Sequence, residues 1–220
     1  LTDLKGRRLW HDQRIARVGM GVASASESDT DIRLRDWSLK RQADGSYAAH
    51  VPASDFSLEL AFAPTQPPVL QGEAGLSRKG AAPNETSYYY SEPQLSVRGR
   101  IGLQEQRFEL NQGRAWLDHE WSETIMSPQA VGWDWIGMNL HDGSALTAFR
   151  LRDRTGHSLW DGGSWRDKSG TLRVFAQGEV RFEALRRWKS PSSQASYPVE
   201  WSVSTPAGQF GIKALLDDQE

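Results

Sequence analysis

The stretch "GWDWIGMNLHDGSALTAFRLRD" (residues 132–153) decides the fold class, because it places two strand-like runs on either side of a turn. Side chains of a β-strand alternate between its two faces, and both runs show that period-two pattern. The dipeptide Asp142-Gly143 is a strong signal for a hairpin turn. A two-residue turn there pairs Leu140 with Ala145, and the segment is therefore predicted to be an antiparallel β-hairpin.

The predicted register of this hairpin brings tryptophans opposite arginines. Counting outward from the turn pairs Trp135 with Arg150 and Trp133 with Arg152. Cross-strand neighbours lie close enough to touch, and a guanidinium stacks favourably on an indole ring. Trp133, Trp135 and Arg150 are therefore candidate ligand-binding residues, although the sequence does not decide which face of the hairpin lines a cavity.

Strand-like patterns extend outward on both sides of the hairpin. Upstream, residues 32–41, 43–51 and 56–64 alternate apolar and polar side chains, which predicts three antiparallel strands. Residues 64–80 are rich in Pro and Gly and predict a long connection, with a domain boundary near residues 65–85. Long helical periodicity is absent, so the fold class is all-β, built from antiparallel barrel or sandwich units. Further strands are predicted at 87–101, 106–121, 171–177, 180–188 and 197–215.

Composition excludes several functional classes. The 220 residues carry a formal net charge of −2, which argues against a nucleic-acid binder that relies on phosphate neutralisation. The chain has no cysteine, so disulfides, thiol nucleophiles and cysteine metal sites are excluded. No apolar run approaches the roughly 20 residues of a transmembrane segment. The 10 tryptophans indicate a heavy core or an aromatic-lined cavity.

The motif "RAWLDHEW" (residues 114–121) places three ionisable side chains between tryptophans. Strand alternation puts Trp116, Asp118 and Glu120 on one face and His119 on the other, so the three cannot converge on one ion. A carboxyl group beside an indole is poorly solvated, which favours the protonated acid that a general acid needs. The competing interpretation is a solvated strand end whose carboxylates face water.

A second aromatic cluster, "SYYYS" (residues 87–91), offers phenol hydroxyls. Alternation places Tyr88 and Tyr90 on one face and Tyr89 on the other. Buried strand rings explain at least one of them. A hydroxyl projecting into a cavity as a hydrogen-bond donor or proton relay is the functional alternative, for which Tyr90 is the candidate.

Other site types lack their motifs. The five histidines are scattered without HxH or HExxH spacing, and we expect no metal. The chain has neither the nucleophile motif G-x-S-x-G nor a Walker or dinucleotide glycine pattern. We therefore expect no organic cofactor, and find no nucleophile arrangement for a hydrolase.

Four segments together resemble one protein family. They are "QPPVLQGEAGLSRKG" (66–80), "NETSYYYS" (84–91), "GRAWLDHEWS" (113–122) and "GWDWIGMNLHDG" (132–143). The set is similar to the AttH-like and carotenoid 1,2-hydratase (CrtC, hydroxyneurosporene synthase) family, whose members are often labelled predicted secreted hydrolases. The matching segments are long and occur in the same order as in the family, so the resemblance is specific for the family and less specific for an activity.

The resemblance implies two lipocalin-like β-barrel or β-sandwich domains. Residues 1–70 would be the remainder of the first domain and residues 71–220 a C-terminally truncated second one, with the family's first and last strands missing from this chain. Family members usually begin with a secretion or lipoprotein signal, which implies a periplasmic or secreted protein, anchored by lipid through a segment absent from this chain. Their frequent association with ABC-transporter components implies those as partners.

The resemblance also assigns a role to the acid. The hydratase branch uses an aspartate at the position of Asp118, while Trp116 replaces a tyrosine and Glu120 an asparagine of that branch. The implied chemistry is protonation of a C=C bond by Asp118, stabilisation of a carbocation by aromatic faces, and addition of water positioned by Glu120 or a tyrosine. The predicted catalytic residues are Asp118, Glu120, Trp116 and Tyr90. The predicted ligand-binding residues are Trp133, Trp135, Tyr88, Arg150 and His119.

Three functions remain open from the sequence. The first is a cofactor-independent, acid-catalysed hydratase or lyase, or an isomerase or cyclase, acting on a lipophilic substrate such as an isoprenoid. The second is a non-catalytic periplasmic carrier of a lipophilic small molecule that serves an ABC transporter. The third, a hydrolase, rests on the family label alone.

Overall fold

The computed structural model describes residues 1–124 and 126–218, and every regular element in these ranges is a β-strand. This confirms the predicted all-β fold class. Within the same ranges, no helix is long and apolar enough to cross a membrane.

The strands are numbered in chain order. The first ten are β1 (Thr2–Asp3), β2 (Arg8–Leu9), β3 (Ala23–Ala25), β4 (Asp31–Leu34), β5 (Trp37–Arg41), β6 (Tyr47–Pro52), β7 (Phe56–Ala63), β8 (Val69–Leu70), β9 (Leu76–Arg78) and β10 (Thr86–Leu103). The others are β11 (Gln106–Trp121), β12 (Gly132–Asn139), β13 (Ala145–Arg152), β14 (Ser158–Arg166), β15 (Leu172–Phe175), β16 (Arg181–Lys189), β17 (Ser196–Thr205) and β18 (Gly208–Lys213).

The first of two compact units comprises Leu1–Thr65 and Leu95–Ala115. Strands β3 to β7 form an antiparallel meander that continues through β10 to β11. Alternate residues of these strands face the interior, where Tyr47 and Val97 are buried. The region predicted as a single strand at 32–41 is a tight hairpin of β4 and β5, because Arg35 takes a positive φ of 56° between them.

The second unit comprises Gln66–Gln94 and Trp116–Glu220. Strands β8 and β9 pair with the first part of β10, β12 to β15 form a four-stranded sheet, and β16 to β18 form a three-stranded sheet. The buried core cluster draws on β13 and β15 to β17, together with the turn before β16. Its members are Leu146, Ala148, Phe175, Val180, Phe182 and Val203.

The two units share the long strands β10 and β11, which differs from the predicted cut between residues 70 and 71. Residues 96–103 of β10 pair with β7 in the first unit, whereas residues 86–91 pair with β8 and β9 in the second. One continuous strand of 18 residues thus pairs with different neighbours along its length, within one nine-stranded sheet. A contiguous division of the sequence misses this arrangement, because strand length alone does not reveal a change of partner.

The β12–β13 hairpin forms as predicted, but its register is shifted by one residue. Asn139, not Leu140, pairs with Ala145, and the Leu140 amide donates to the Ser144 carbonyl at 3.0 Å. The loop therefore has three residues, with Gly143 in a positive-φ conformation (φ 90°) that a type I turn followed by a left-handed residue requires. The predicted two-residue turn is wrong.

The shifted register exchanges the cross-strand partners, because a slip of one residue moves every side chain to the other face. Trp135 pairs with Phe149 and Trp133 with Leu151. Arg150 pairs instead with Asp134, on the face that carries Ile136 and Leu146 into the core. The predicted tryptophan–arginine pairs are therefore wrong, and the tryptophan face of this hairpin is more apolar than expected.

We predict that Gly163→Ala destabilises the second unit. Gly163, in β14, has a φ of 154°, and an added Cβ would lie 2.0 Å from the Thr147 carbonyl oxygen of β13. Backbone cannot yield as a flexible side chain can, so the free energy of unfolding should fall by about 2 kcal/mol or more in urea titrations. Gly211→Ala is the matched control, since nothing lies within 4 Å of its added Cβ, and it should change stability by less than about 0.5 kcal/mol. Equal stability of the two variants would contradict this packing.

Candidate functional site

The site is built on the paired first part of β10 and last part of β11, where alternation sorts the side chains as predicted. Trp116, Asp118 and Glu120 share one face of β11, and they contact Ser87, Tyr89 and Ser91 of β10. The opposite face carries His119 beside Tyr90. The two faces therefore hold different groups of ionisable residues.

Asp118 is the centre of the first face. Its Oδ1 accepts hydrogen bonds from the Tyr89 hydroxyl at 2.9 Å, the Ser91 hydroxyl at 2.6 Å and the Trp116 indole Nε1 at 2.8 Å. All three partners donate, so Oδ1 accepts from each of them, as a carboxylate oxygen does. Asp118 is exposed and does not line the cavity described below, so the expectation that the neighbouring indole leaves its carboxyl group poorly solvated is corrected.

A buried polar network supports Asp118 from behind. Ser91 accepts a hydrogen bond from the Gln71 side-chain amide at 3.0 Å, and the same amide donates to Thr147 at 2.9 Å. Ser164 donates to the Gln71 carbonyl at 2.7 Å. Since Gln71, Thr147, Ser91 and Ser164 are all buried, each hydrogen bond satisfies a group that water does not reach. The network fixes the Ser91 hydroxyl as a donor to Asp118.

Tyr89 connects Asp118 to an aromatic surface. Its hydroxyl donates to Asp118 and accepts from the Trp135 indole Nε1 at 3.2 Å. Burial raises the pKa of Tyr89 above the ordinary tyrosine value, and the neighbouring Asp118 charge raises it further. The phenol is therefore held protonated, as a donor.

The indoles of this face meet at right angles. The ring centroids of Trp116 and Trp135 lie 6.3 Å apart with an interplanar angle of 78°, an edge-to-face geometry. Both indole N–H groups point to the Asp118–Tyr89 pair. The acid and the phenol are thus bordered by aromatic carbon on the side of β12.

A cavity of about 470 Å³ opens beside Tyr89 and Trp135. Its apolar walls come from β11, β12, β13 and the connection after β11. They are Trp121, Met126, Trp133, Trp135, Phe149 and Leu151. The polar lining residues are Ser77, Lys79, Tyr89, Glu120 and Ser122. Tyr89, rather than Asp118, presents the acid–phenol pair to this space.

Glu120 belongs to a separate polar cluster at the cavity. Its Oε1 lies 3.2 Å from the Lys79 ammonium and accepts a hydrogen bond from the Ser87 hydroxyl at 2.5 Å. Asp118 and Glu120 are two residues apart on β11, which separates them by about 7 Å along the strand. The cavity therefore has two polar points and an apolar wall.

Four predicted residues lie away from Asp118. Tyr90, His119 and Tyr88 are on the opposite face of β10 and β11, where the Tyr90 hydroxyl is 3.2 Å from His119 Nδ1 and Tyr88 stacks on Trp121 at 5.6 Å. Arg150 forms an ion pair with Asp134 at 2.7 Å. Because it shares the core face of β13, its prediction as a neighbour of Trp135 is corrected.

The sequence prediction missed Tyr89. Alternation correctly separated it from Tyr88 and Tyr90, but choosing the face that meets Asp118 needs the β10–β11 pairing, which the sequence pattern does not give. Among residues 1–124 and 126–218, no group of three or more His, Cys, Asp or Glu side chains is arranged to hold a metal ion.

Comparisons with known proteins identify the chain's relatives. The AttH-like family profile matches residues 1–220. The crystal structure of a candidate AttH from Nitrosomonas europaea superimposes with a TM-score of 0.93 at 45% sequence identity, over 99% of this chain and 68% of that one. Kievitone hydratase from Nectria haematococca superimposes with a TM-score of 0.70 at 16% identity, over 86% of this chain and 59% of that one. None of the curated proteins compared with the chain matches it significantly.

We predict that Tyr89 makes stability depend on alkaline pH. Its raised pKa keeps the phenol protonated in the folded state at pH values where the unfolded chain ionises, so the free energy of unfolding should fall as pH rises above about 10. In Tyr89→Phe this fall should be shallower, measured by urea unfolding at about pH 9 and about pH 11. Tyr88→Phe, which removes an exposed ring hydroxyl, is the control and should keep the wild-type slope. Identical slopes for all three proteins would contradict the burial of Tyr89.

Proposed function

The chain belongs to the AttH-like family, and from its site we propose that it is a cofactor-independent, acid-catalysed hydratase or lyase, or an isomerase or cyclase, for a lipophilic substrate of isoprenoid type. The observation that carries this proposal is the Asp118–Tyr89 pair, hydrogen-bonded at 2.9 Å and presented to an aromatic cavity. Such a cavity offers an acid and a surface for a developing cation, which are the two requirements of alkene protonation.

The proposed reaction begins with proton transfer through the pair. With Asp118 protonated, Tyr89 gives its hydroxyl proton to one carbon of the C=C bond while its oxygen takes the proton of Asp118 from Oδ1, the carboxyl oxygen that it contacts. The π electrons form the new C–H bond, and the other carbon becomes a tertiary carbocation. Asp118 is left as a carboxylate that accepts hydrogen bonds from Tyr89, Ser91 and Trp116. These donors stabilise the charge that develops on the acid.

The cation and the attacking water then need different partners. Indole faces attract a cation, and Trp135 and Trp133 supply them at the cavity. Water adds its oxygen to the cationic carbon and releases one proton, which returns through Tyr89 to Asp118. Glu120, about 7 Å further along β11, positions the water as a hydrogen-bond acceptor. The reverse sequence describes dehydration by a lyase, and loss of a different proton describes an isomerase.

The comparisons support this proposal at the level of the fold. Kievitone hydratase is a hydratase by name and has the same lipocalin-like fold, so a fold of this kind can carry hydration chemistry. The chain spans 59% of the length of that protein. The substrate is part of our proposal and is drawn from the cavity and from the resemblance to carotenoid 1,2-hydratase.

A carrier is the second candidate, and one observation favours it. The cavity tryptophans are partly exposed, 59% for Trp133 and 42% for Trp135, as in an open cleft that a ligand enters and leaves. In this proposal the protein holds a lipophilic molecule in the periplasm or outside the cell, lipid-anchored or free, and passes it to ABC-transporter components. The Asp118 network would then serve only to support the wall of the cavity.

A hydrolase has no comparable support in the site. The contact of Thr155 Oγ1 with His157 Nδ1 at 2.7 Å is the type of pair that a hydrolase uses. It belongs to an exposed turn, in which the Thr155 hydroxyl and the His157 backbone N–H both donate to Asp153 Oδ1. A nucleophile must adjoin a substrate cavity, and this turn does not contribute to the 470 Å³ cavity. The contact between Thr155 and His157 is therefore explained by the structure of the turn.

We predict that Asp118→Asn abolishes turnover while preserving binding. The amide keeps the size and the acceptor oxygen of the side chain but cannot supply the proton, so the rate should fall by about 100-fold or more. Product formation from isoprenoid alkenes in ¹⁸O-labelled water, followed by mass spectrometry, measures the rate. Tryptophan fluorescence measures binding, which should change by less than about threefold, or 0.7 kcal/mol.

Asp55→Asn is the control for this experiment. Asp55 is an exposed carboxylate of the first unit, and its removal should leave both rate and binding unchanged. Retention of wild-type turnover by Asp118→Asn would contradict the acid role. Tight binding without product for the wild-type protein, across the alkene panel, would establish the carrier in place of the enzyme.

A further inference from the structure

An ion pair between Lys79 and Glu120 lies at the cavity, and the proposed proton transfer through Tyr89 does not use it. The Lys79 side chain is only 15% exposed, and its ammonium is 3.2 Å from Glu120 Oε1. Ser87, which is 1% exposed, donates to the same oxygen. The Glu120 side chain is 42% exposed, so the pair is open to the cavity, where a ligand can reach it.

The ion pair presents a donor and an acceptor side by side. An ammonium has three N–H donors, and a carboxylate has two oxygens with about four acceptor positions, so each has capacity beyond the bond that joins them. Their charges cancel. A ligand carboxylate would gain from Lys79 but would be repelled by Glu120, while an ether could accept from Lys79 but give nothing to Glu120. A neutral hydroxyl group satisfies both partners at once.

We propose that the ligand of this cavity is an amphipathic alcohol or phenol, whose hydroxyl group is bound between Lys79 and Glu120. The hydrocarbon part then lies along Trp121, Trp133 and Phe149, which line the same cavity. This inference rests on the proposed function only in taking the cavity as the ligand site, and it applies equally to an enzyme and to a carrier.

The strand geometry adds a distance to this proposal. Ser87 and Tyr89 are two residues apart on β10, and Glu120 and Asp118 are two residues apart on β11, so the hydroxyl point and the acid point are separated by about 7 Å. A substrate bound at both points has its double bond about 7 Å from its hydroxyl group. Lys79 and Glu120 are therefore residues that determine which double bond reaches Tyr89.

The experiment compares three probes that share one hydrocarbon skeleton: geraniol, its methyl ether and geranic acid. Binding to the wild-type protein is measured by quenching of tryptophan fluorescence at neutral pH. The alcohol should bind about tenfold tighter than the ether, because the ether cannot donate to Glu120. The acid should also bind more weakly than the alcohol. Equal affinity for alcohol and ether, tighter binding of the acid, or no binding of any probe would overturn the proposal.

Two variants test the assigned residues. Glu120→Gln removes the repelling charge, so it should raise the affinity for geranic acid several-fold and reduce the preference of alcohol over ether. Lys79→Met should weaken the alcohol about tenfold. Lys168→Met, in the exposed turn after β14, is the matched control and should leave all three affinities unchanged. Unchanged selectivity in the folded Glu120→Gln variant, with circular dichroism as the check of folding, would show that Glu120 does not contact the ligand and would overturn the assignment.

The outcomes separate this inference from the proposed enzyme activity. Preference for the alcohol without any product from isoprenoid alkenes would retain the ligand class and reject catalysis. Turnover that depends on Asp118 but shows no preference for a hydroxyl group would retain catalysis and reject the proposed ligand class.

Discussion

Three hydrogen-bond donors converge on one oxygen of Asp118, and the candidate site depends on that convergence. The donors come from β10 and β11, and Gln71 ties one of them to β13 and β14 through Thr147 and Ser164. Asp118 itself is exposed, but Gln71, Ser91, Thr147 and Ser164 are buried, so loss of one of these partners would leave buried polar groups without water to replace it. The network therefore fixes the Ser91 hydroxyl as a hydrogen-bond donor to Asp118.

The residues at and behind the cavity have different roles. Asp118 does not line the cavity, and Tyr89, which is hydrogen-bonded to it, is the group that faces the ligand space. Trp135 donates to the same phenol and offers its ring to the cavity. Lys79 and Glu120 form a second polar point. Their opposite charges cancel, so the point favours a ligand group that both donates and accepts hydrogen bonds. An enzyme and a carrier would share this arrangement and differ only in whether Asp118 releases its proton.

The sequence pattern predicts which face of a strand each side chain occupies better than it predicts which strands pair and in what register. Period-two alternation correctly predicted an all-β chain and placed Asp118 with Trp116 and Glu120, because alternation is a property of each strand by itself. Register is not local. One additional residue in the loop before Gly143 moved Arg150 from the side of Trp135 to the core face, and the same uncertainty between β10 and β11 favoured Tyr90 over Tyr89. The partner change along β10 was hidden for the same reason, since strand length does not reveal which neighbour pairs with which half.

A double-mutant cycle between Gln71 and Asp118 measures whether the hydrogen-bond network around Asp118 acts as a unit. The two side chains do not bond to each other but are linked through Ser91, so the network account predicts that their contributions are coupled. The free energies of unfolding of wild type, Gln71→Met, Asp118→Ala and the double variant, measured in urea, should be non-additive by about 0.5–3 kcal/mol. Additivity within about 0.3 kcal/mol would contradict the account, since Asp118 would then be an independent surface carboxylate with neighbours that merely happen to be polar.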